Sequence, residues 1–196
     1  MKDSFLFLAE GFEEIEAISV IDILRRADIP VKTVSITGSY QVSGAHGIPV
    51  IADLLFESIS VEDAPWLILP GGLPGADNLY NFAPLQNLLR QQAESADGRI
   101  AAICAAPAVV LGQSGLLDGE QATCYPGFED KLQGCEHVDS PVVVSGKFVT
   151  ANGPANAIRW ALNIVKCTKG EIEAGSIANG LLYYPRLEAG MDHYFG

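Results

Sequence analysis

Three short runs, Phe5-Leu6-Phe7-Leu8-Ala9, Trp66-Leu67-Ile68-Leu69 and Ile100-Ala101-Ala102-Ile103, are apolar from end to end. A strand with one wet face alternates polar and apolar residues, and these do not, so each is expected to be covered on both faces. Helical patterns lie between them. Glu13, Glu14 and Glu16 load the start of the first, residues 15–24 supply a broad apolar face, and Arg25 and Arg26 come near its end, which suits the helix dipole at both termini. Asp28-Ile29-Pro30 closes it, and residues 31–36 read as the next strand. Strands alternating with helices imply an α/β fold, with a mainly parallel central sheet and helices on both faces.

The rest of the chain fits around that frame. Residues 41–43 and 48–52, separated by Gly44 and Gly47, read as a hairpin, and Pro84, Leu85, Leu88, Leu89 and Ala93 mark an amphipathic helix. After Gly119 come short strands at 121–124, 142–145 and 148–151, with Ser145-Gly146-Lys147 as a tight turn. Gly153-Pro154 opens a long helix over 155–165, and another starts near Gly170. The apolar tail, Leu181 to Pro185 with Tyr194 and Phe195, is expected to pack on the body or on a second subunit. The 196 residues, 48% hydrophobic, are most simply one domain, 1–196, with 170–196 as a C-terminal extension.

Ligands of such folds gather at the carboxyl ends of the strands. Four landmarks fall on that edge: residues 10–16, Pro70-Gly71-Gly72, Cys104-Ala105 and Asn152-Gly153-Pro154. Cys104 sits where a strand runs into a helix opened by Pro107. There it would lie near unpaired N–H groups and the positive end of a dipole, and its thiolate is expected to form more easily than in free solution. The alternative is a buried structural cysteine among alanine and isoleucine. Gly71 and Gly72 suggest a turn with open N–H groups that could hold an oxyanion, or a plain strand-to-helix turn. Glu16 shares a helical line with Val20, Ile23 and Ala27, which points its carboxyl toward the sheet. Desolvated there, it would favour its protonated form and donate to a thiolate, unless it only serves the dipole.

Composition narrows the function. The net charge of −12, with 24 Asp+Glu against 12 Lys+Arg and no basic run, argues against nucleic acid. The opening residues lack the pattern of a secretory signal, and no run is long enough to span a bilayer, so the expectation is a soluble, cytoplasmic protein with no membrane partner. Cys104, Cys124, Cys135 and Cys167 form no C-x-x-C pair and read as four separate thiols; Cys124, Cys135 and His137 fit no familiar zinc spacing. No metal or cofactor is expected.

Four stretches occur together, in this order: Ala9-Glu10-Gly11-Phe12-Glu13-Glu14-Ile15-Glu16-Ala17, Leu69-Pro70-Gly71-Gly72, Ala101-Ala102-Ile103-Cys104-Ala105-Ala106-Pro107 and Thr150-Ala151-Asn152-Gly153-Pro154. With them the chain closely resembles the ThiJ/PfpI superfamily, a class I glutamine amidotransferase-like group, on the branch of the human Parkinson-disease-associated deglycase and the bacterial chaperone-like ThiJ proteins. The resemblance implies a flavodoxin-like three-layer sandwich, a homodimer, and a nucleophile at a strained elbow. By position, Cys104 becomes the reactive cysteine, Glu16 the protonated carboxyl beside it, Gly72 and Ala105 the oxyanion donors, and Gly153-Pro154 a neighbouring wall. Arg26 matches a position that reaches the partner's site in relatives; its alternative is a solvated helix-end charge.

Two residues depart from the pattern. Tyr125 stands where peptidase- and deglycase-like relatives often have His, and His46 stands where the human-type branch carries Arg. Without a His at 125 the general base of a Cys–His dyad is missing, which counts against peptidase activity. His46, His137 and His193 are the remaining histidines, each in a turn-rich or tail segment, and read as exposed side chains. Two function classes follow: an enzyme acting on small reactive carbonyls, glyoxalase- or deglycase-like, or a redox-responsive or chaperone-like protein whose Cys104 takes up oxidant under oxidative stress. The family's thiazole-monophosphate label finds no phosphate-cradling loop or basic cluster here.

Overall fold

The structure, a computed structural model, describes residues 2–183. In chain order the elements are β1 (Ser4–Leu8), α1 (Glu14–Arg26), β2 (Val31–Ser35), β3 (Gln41–Ser43), β4 (Pro49–Ile51), β5 (Leu54–Leu55), β6 (Trp66–Leu69), α2 (Gly75–Asn81), α3 (Ala83–Glu94), β7 (Arg99–Ile103), β8 (Gln121–Ala122), β9 (Glu136–His137), β10 (Val142–Ser145), β11 (Phe148–Ala151), α4 (Ala157–Lys169) and α5 (Glu171–Gly180). A wide-turned π-helical segment, Pro107–Gly112, follows β7 where an ordinary helix was expected.

Seven strands form one sheet in the order β10-β11-β7-β6-β1-β2-β5, every pair parallel except β10 with β11. The apolar runs are buried on both sides, as their composition requires. Leu6 and Leu8 of β1 face the core shared with α1 and α4, where Val20, Leu24 and Trp160 pack. Phe5 and Phe7 face the other core, with Leu79 of α2, Leu85 of α3 and Val109. The result is a three-layer α/β sandwich of the flavodoxin-like kind. From β1 the chain runs outward to β2 and β5, then crosses back to β6 on the other side of β1. The strand order therefore reverses between β1 and β6, and a crevice opens at their carboxyl ends.

Several boundaries differ from expectation for local reasons. Only one stripe of α1 faces the sheet, so Ile15 and Ile18 are 58% and 46% exposed instead of joining a broad buried face. The long C-terminal helix is preceded by a 3-10 turn, Pro154–Asn156, and runs on to Lys169. β5, β9 and α2 are too short to carry a periodic signal. Tyr183 and Leu181 pack against the α1–α4 core. The expectations for Tyr184, Pro185, His193, Tyr194 and Phe195 lie outside the described residues. Among the described residues no helix is long and apolar enough to cross a membrane.

Candidate active site

Cys104 follows β7 directly and adopts φ 64°. A non-glycine residue in the left-handed region costs about 1–3 kcal/mol, so neighbouring structure must hold it there. Its N–H donates to the Ala151 carbonyl at 2.9 Å, and its own carbonyl accepts from the Tyr125 N–H at 2.8 Å. The corner is tied on both sides, to β11 and to the segment after β8. The N–H groups of Gly72 and Ala105 lie close enough to the sulfur to lower its pKa, and the residue is 9% exposed.

Glu16 reaches this corner from the first turn of α1. It is fully buried. Its Oε2 accepts the Gly71 N–H at 2.7 Å, so that N–H is occupied and is not an open oxyanion donor as the glycine pair suggested. Oε1 is buried with no hydrogen-bond partner, and the carboxyl as a whole neighbours the Cys104 thiol. Gly71 makes the approach possible: a Cβ there would lie 2.6 Å from the Cys104 Cβ and 2.9 Å from Glu16 Oε2. Gly72, at φ 89°, has a conformation that suits glycine, and a Cβ would strike the Glu13 N at 2.5 Å.

Burial pushes the Glu16 carboxyl up to about 7, against the Gly71 N–H and the neighbouring Cys104 thiol, which favour its charge. Burial also pushes the Cys104 thiol up, to about 12, with the negative charge of Glu16 adding to it, while the Gly72 and Ala105 N–H groups pull it down. The expectation of an unusually acidic thiol is thus corrected: desolvation outweighs the corner's N–H groups, and the charge of an ionised Glu16 adds to it. The repulsion disappears when Glu16 holds the proton, so the two groups titrate as a pair.

The other acidic residues of the opening helix are structural. Glu13 caps it, Oε2 accepting the Glu16 N–H at 2.8 Å. Glu14 is also buried; its carboxylate accepts from the His46 N–H at 2.7 Å, the His46 ring at 2.8 Å and the Ile48 N–H at 3.4 Å. Burial would raise its pKa, but these bonds outweigh that and hold it below the usual range. The His46 ring is mostly exposed and raised in pKa by Glu14. It clamps the turn between β3 and β4 onto α1. Glu13, Glu14 and His46 bring potential ligand atoms within 4.8 Å of one another, yet the hydrogen bonds just named account for the cluster. The separate roles of Glu13 and Glu14 were not readable from the Glu13-Glu14-x-Glu16 pattern, where both read only as serving the dipole; the helical line had set Glu16 alone apart.

Tyr125 is joined to the corner through its backbone, and its ring lies against Gly153, at the turn that leads into Pro154. Arg26 is half exposed and pairs with Asp22 at 2.6 Å. His137 is exposed, Cys124 buried, and Cys135 and Cys167 half-buried.

Comparison with known proteins agrees with this architecture. Protein DJ-1 homolog B of Arabidopsis thaliana is 39% identical over 180 residues, 91% of this chain but 41% of its own length; the chain spans less than half of the first curated relatives it matches. The glutathione-independent glyoxalase DJR-1.2 of Caenorhabditis elegans is 32% identical over 174 residues, 88% of this chain and 91% of its own. The structure of oxidised DJ-1 from Toxoplasma gondii superposes with a TM-score of 0.88 at 38% identity, covering 93% of this chain and 99% of that one. The DJ-1/PfpI family model matches residues 3–167, a span that takes in the whole seven-stranded sheet and every loop on its carboxyl edge. The chain belongs to the DJ-1/PfpI family.

Proposed function

We propose that the protein converts small 2-oxoaldehydes to 2-hydroxy acids, with Cys104 as nucleophile and Glu16 as the proton carrier. The observation that carries this is the orphaned Oε1 of a fully buried Glu16 beside the Cys104 sulfur. A buried carboxylate oxygen with no donor is costly, and protonating it removes the cost if the new O–H donates to sulfur. The pair then holds Glu16 as the acid and Cys104 as the thiolate, with the Gly72 and Ala105 N–H groups adding to its stabilisation.

The thiolate attacks the aldehyde carbon; an S–C bond forms, and the carbonyl electron pair moves to oxygen, which takes the Glu16 proton. The resulting hemithioacetal gives its C–H proton to the Glu16 carboxylate, which returns it to the neighbouring carbonyl carbon, while the hydroxyl proton passes to that carbonyl's oxygen. The first carbon is oxidised, the second reduced, and the sum is zero. Water cleaves the thioester and restores the thiol. The same N–H groups suit the oxyanion of the first step. The name of the Caenorhabditis elegans relative supports this chemistry. Lactate formation from methylglyoxal should be abolished in Cys104→Ser and fall by about 10²-fold or more in Glu16→Gln; equal rates in all three proteins would refute the reading.

A second reading uses the same donors differently. Gly72, Ala105 and protonated Glu16 could hold the oxygens of a Cys104 sulfinate, giving a redox-responsive protein. Gain of two oxygens at Cys104 under graded peroxide, without methylglyoxal turnover by fresh protein, selects it. In either case we take the chain as one domain with residues 170–196 as its extension, acting in a reducing cytoplasm as a homodimer. The exposed Ile15 and Ile18 of α1, with the exposed Ile48 in the loop bonded to its first turn, support the dimer.

A further inference from the structure

The chemistry above uses the backbone of Tyr125 and leaves its side chain without a task. Its N–H donates to the Cys104 carbonyl at 2.8 Å, which fixes the residue beside the sulfur-bearing corner. A Cβ built on Gly153 would stand 3.4 Å from the ring's Cδ2 and 3.7 Å from Cε2, ordinary contact, so one edge of the ring lies along the glycine backbone. Phe128 meets it edge-on, with centroids 6.4 Å apart and planes at 76°, and the Phe128 N–H donates to the Tyr125 carbonyl at 3.2 Å. Lys131 in turn covers the Phe128 ring, its Nζ 5.4 Å from the centroid. Tyr125 nevertheless remains 44% exposed. A large ring held through its backbone, one edge and Phe128, yet partly bare, belongs to a residue bonded to the corner whose cysteine is itself almost covered.

We propose that Tyr125 determines specificity: with Phe128 it forms an aromatic shelf that favours 2-oxoaldehydes bearing a flat aryl group over those bearing a methyl. The proposal rests on the carbonyl chemistry assigned to Cys104. Ring-on-ring packing of this kind is worth about a threefold to tenfold preference. The polar tip of the phenol stays in water while the ring face receives the guest.

Phenacyl bromide and bromoacetone test the shelf without requiring turnover. In both, the Cys104 thiolate forms an S–C bond at the CH₂ carbon and bromide leaves with the C–Br electron pair; the reagents differ in phenyl against methyl. Labelling rates of the Cys104 peptide, followed by mass spectrometry, give a phenacyl-to-acetonyl ratio in which intrinsic reactivities cancel between proteins. The ratio should fall about threefold to tenfold in Tyr125→Ala and Tyr125→Leu and stay within about twofold of native in Tyr125→Phe. The ratio of kcat/KM for phenylglyoxal over methylglyoxal should move the same way. An unchanged labelling ratio in Tyr125→Ala and Tyr125→Leu, with Cys104 still labelled, overturns the shelf and leaves the carbonyl reading standing. Failure of both reagents to label Cys104 in the native protein overturns both.

Discussion

At the scale of single residues, the proposed chemistry turns on one proton shared by two groups. In the unfolded chain Glu16 titrates near 4.5 and Cys104 near 9.0; in the folded protein the pair loses its first proton near 7 and its second near 12. Both shifts are upward, so the native state binds the extra proton in each window, and stability falls as pH rises from 4.5 to about 7 and again above 9. At about 1.36 kcal/mol per pH unit, the first window amounts to on the order of 3 kcal/mol. Glu16→Gln should abolish that first fall: urea unfolding at pH 5 and pH 8 would give a difference on the order of 3 kcal/mol larger in native protein than in the variant. An identical pH dependence in the two proteins would show that Glu16 is not desolvated. Turnover should rise through about pH 7, where the pair first becomes singly charged.

At the scale of elements, α1 carries the acid and its N-terminus sets the geometry. Glu13 accepts the N–H of Glu16 itself, so cap and acid are joined by one bond. Glu13→Ala should cost about 1 kcal/mol of stability, read by urea unfolding. Because the Glu13 charge also helps raise Glu16, the turnover midpoint should move to lower pH; a lost cap with an unmoved midpoint would separate the two roles. Long apolar strands and the amphipathic α3 were legible, since periodicity and burial coincide there. The Glu16 line with Val20, Ile23 and Ala27 was legible for the same reason, and all four are buried. What stayed hidden depends on distant partners: Glu14 is explained by residues near 46, and the occupied N–H of Gly71 by a carboxyl 55 positions away. The thiol's direction of shift was hidden too, because the corner's N–H groups can be read from sequence and the burial around them cannot.

At the scale of the whole molecule, the reversal of strand order between β1 and β6 assembles the site from four segments far apart in the chain. The same architecture leaves Ile15 and Ile18 on the outside of α1 and Ile48 in the loop bonded to its first turn. Apolar side chains so grouped favour a second copy. Sedimentation should give a dimer, and Ile18→Glu should yield folded monomer; a native monomer at all concentrations would remove the homodimer from the proposal. The central claim is tested most directly by locating the shared proton at pH 8. Infrared difference spectra between native protein and Glu16→Gln, paired with ultraviolet thiolate absorbance of native protein against Cys104→Ser, should show a neutral carboxyl together with a thiolate. An ionised carboxylate with no thiolate at that pH would contradict it.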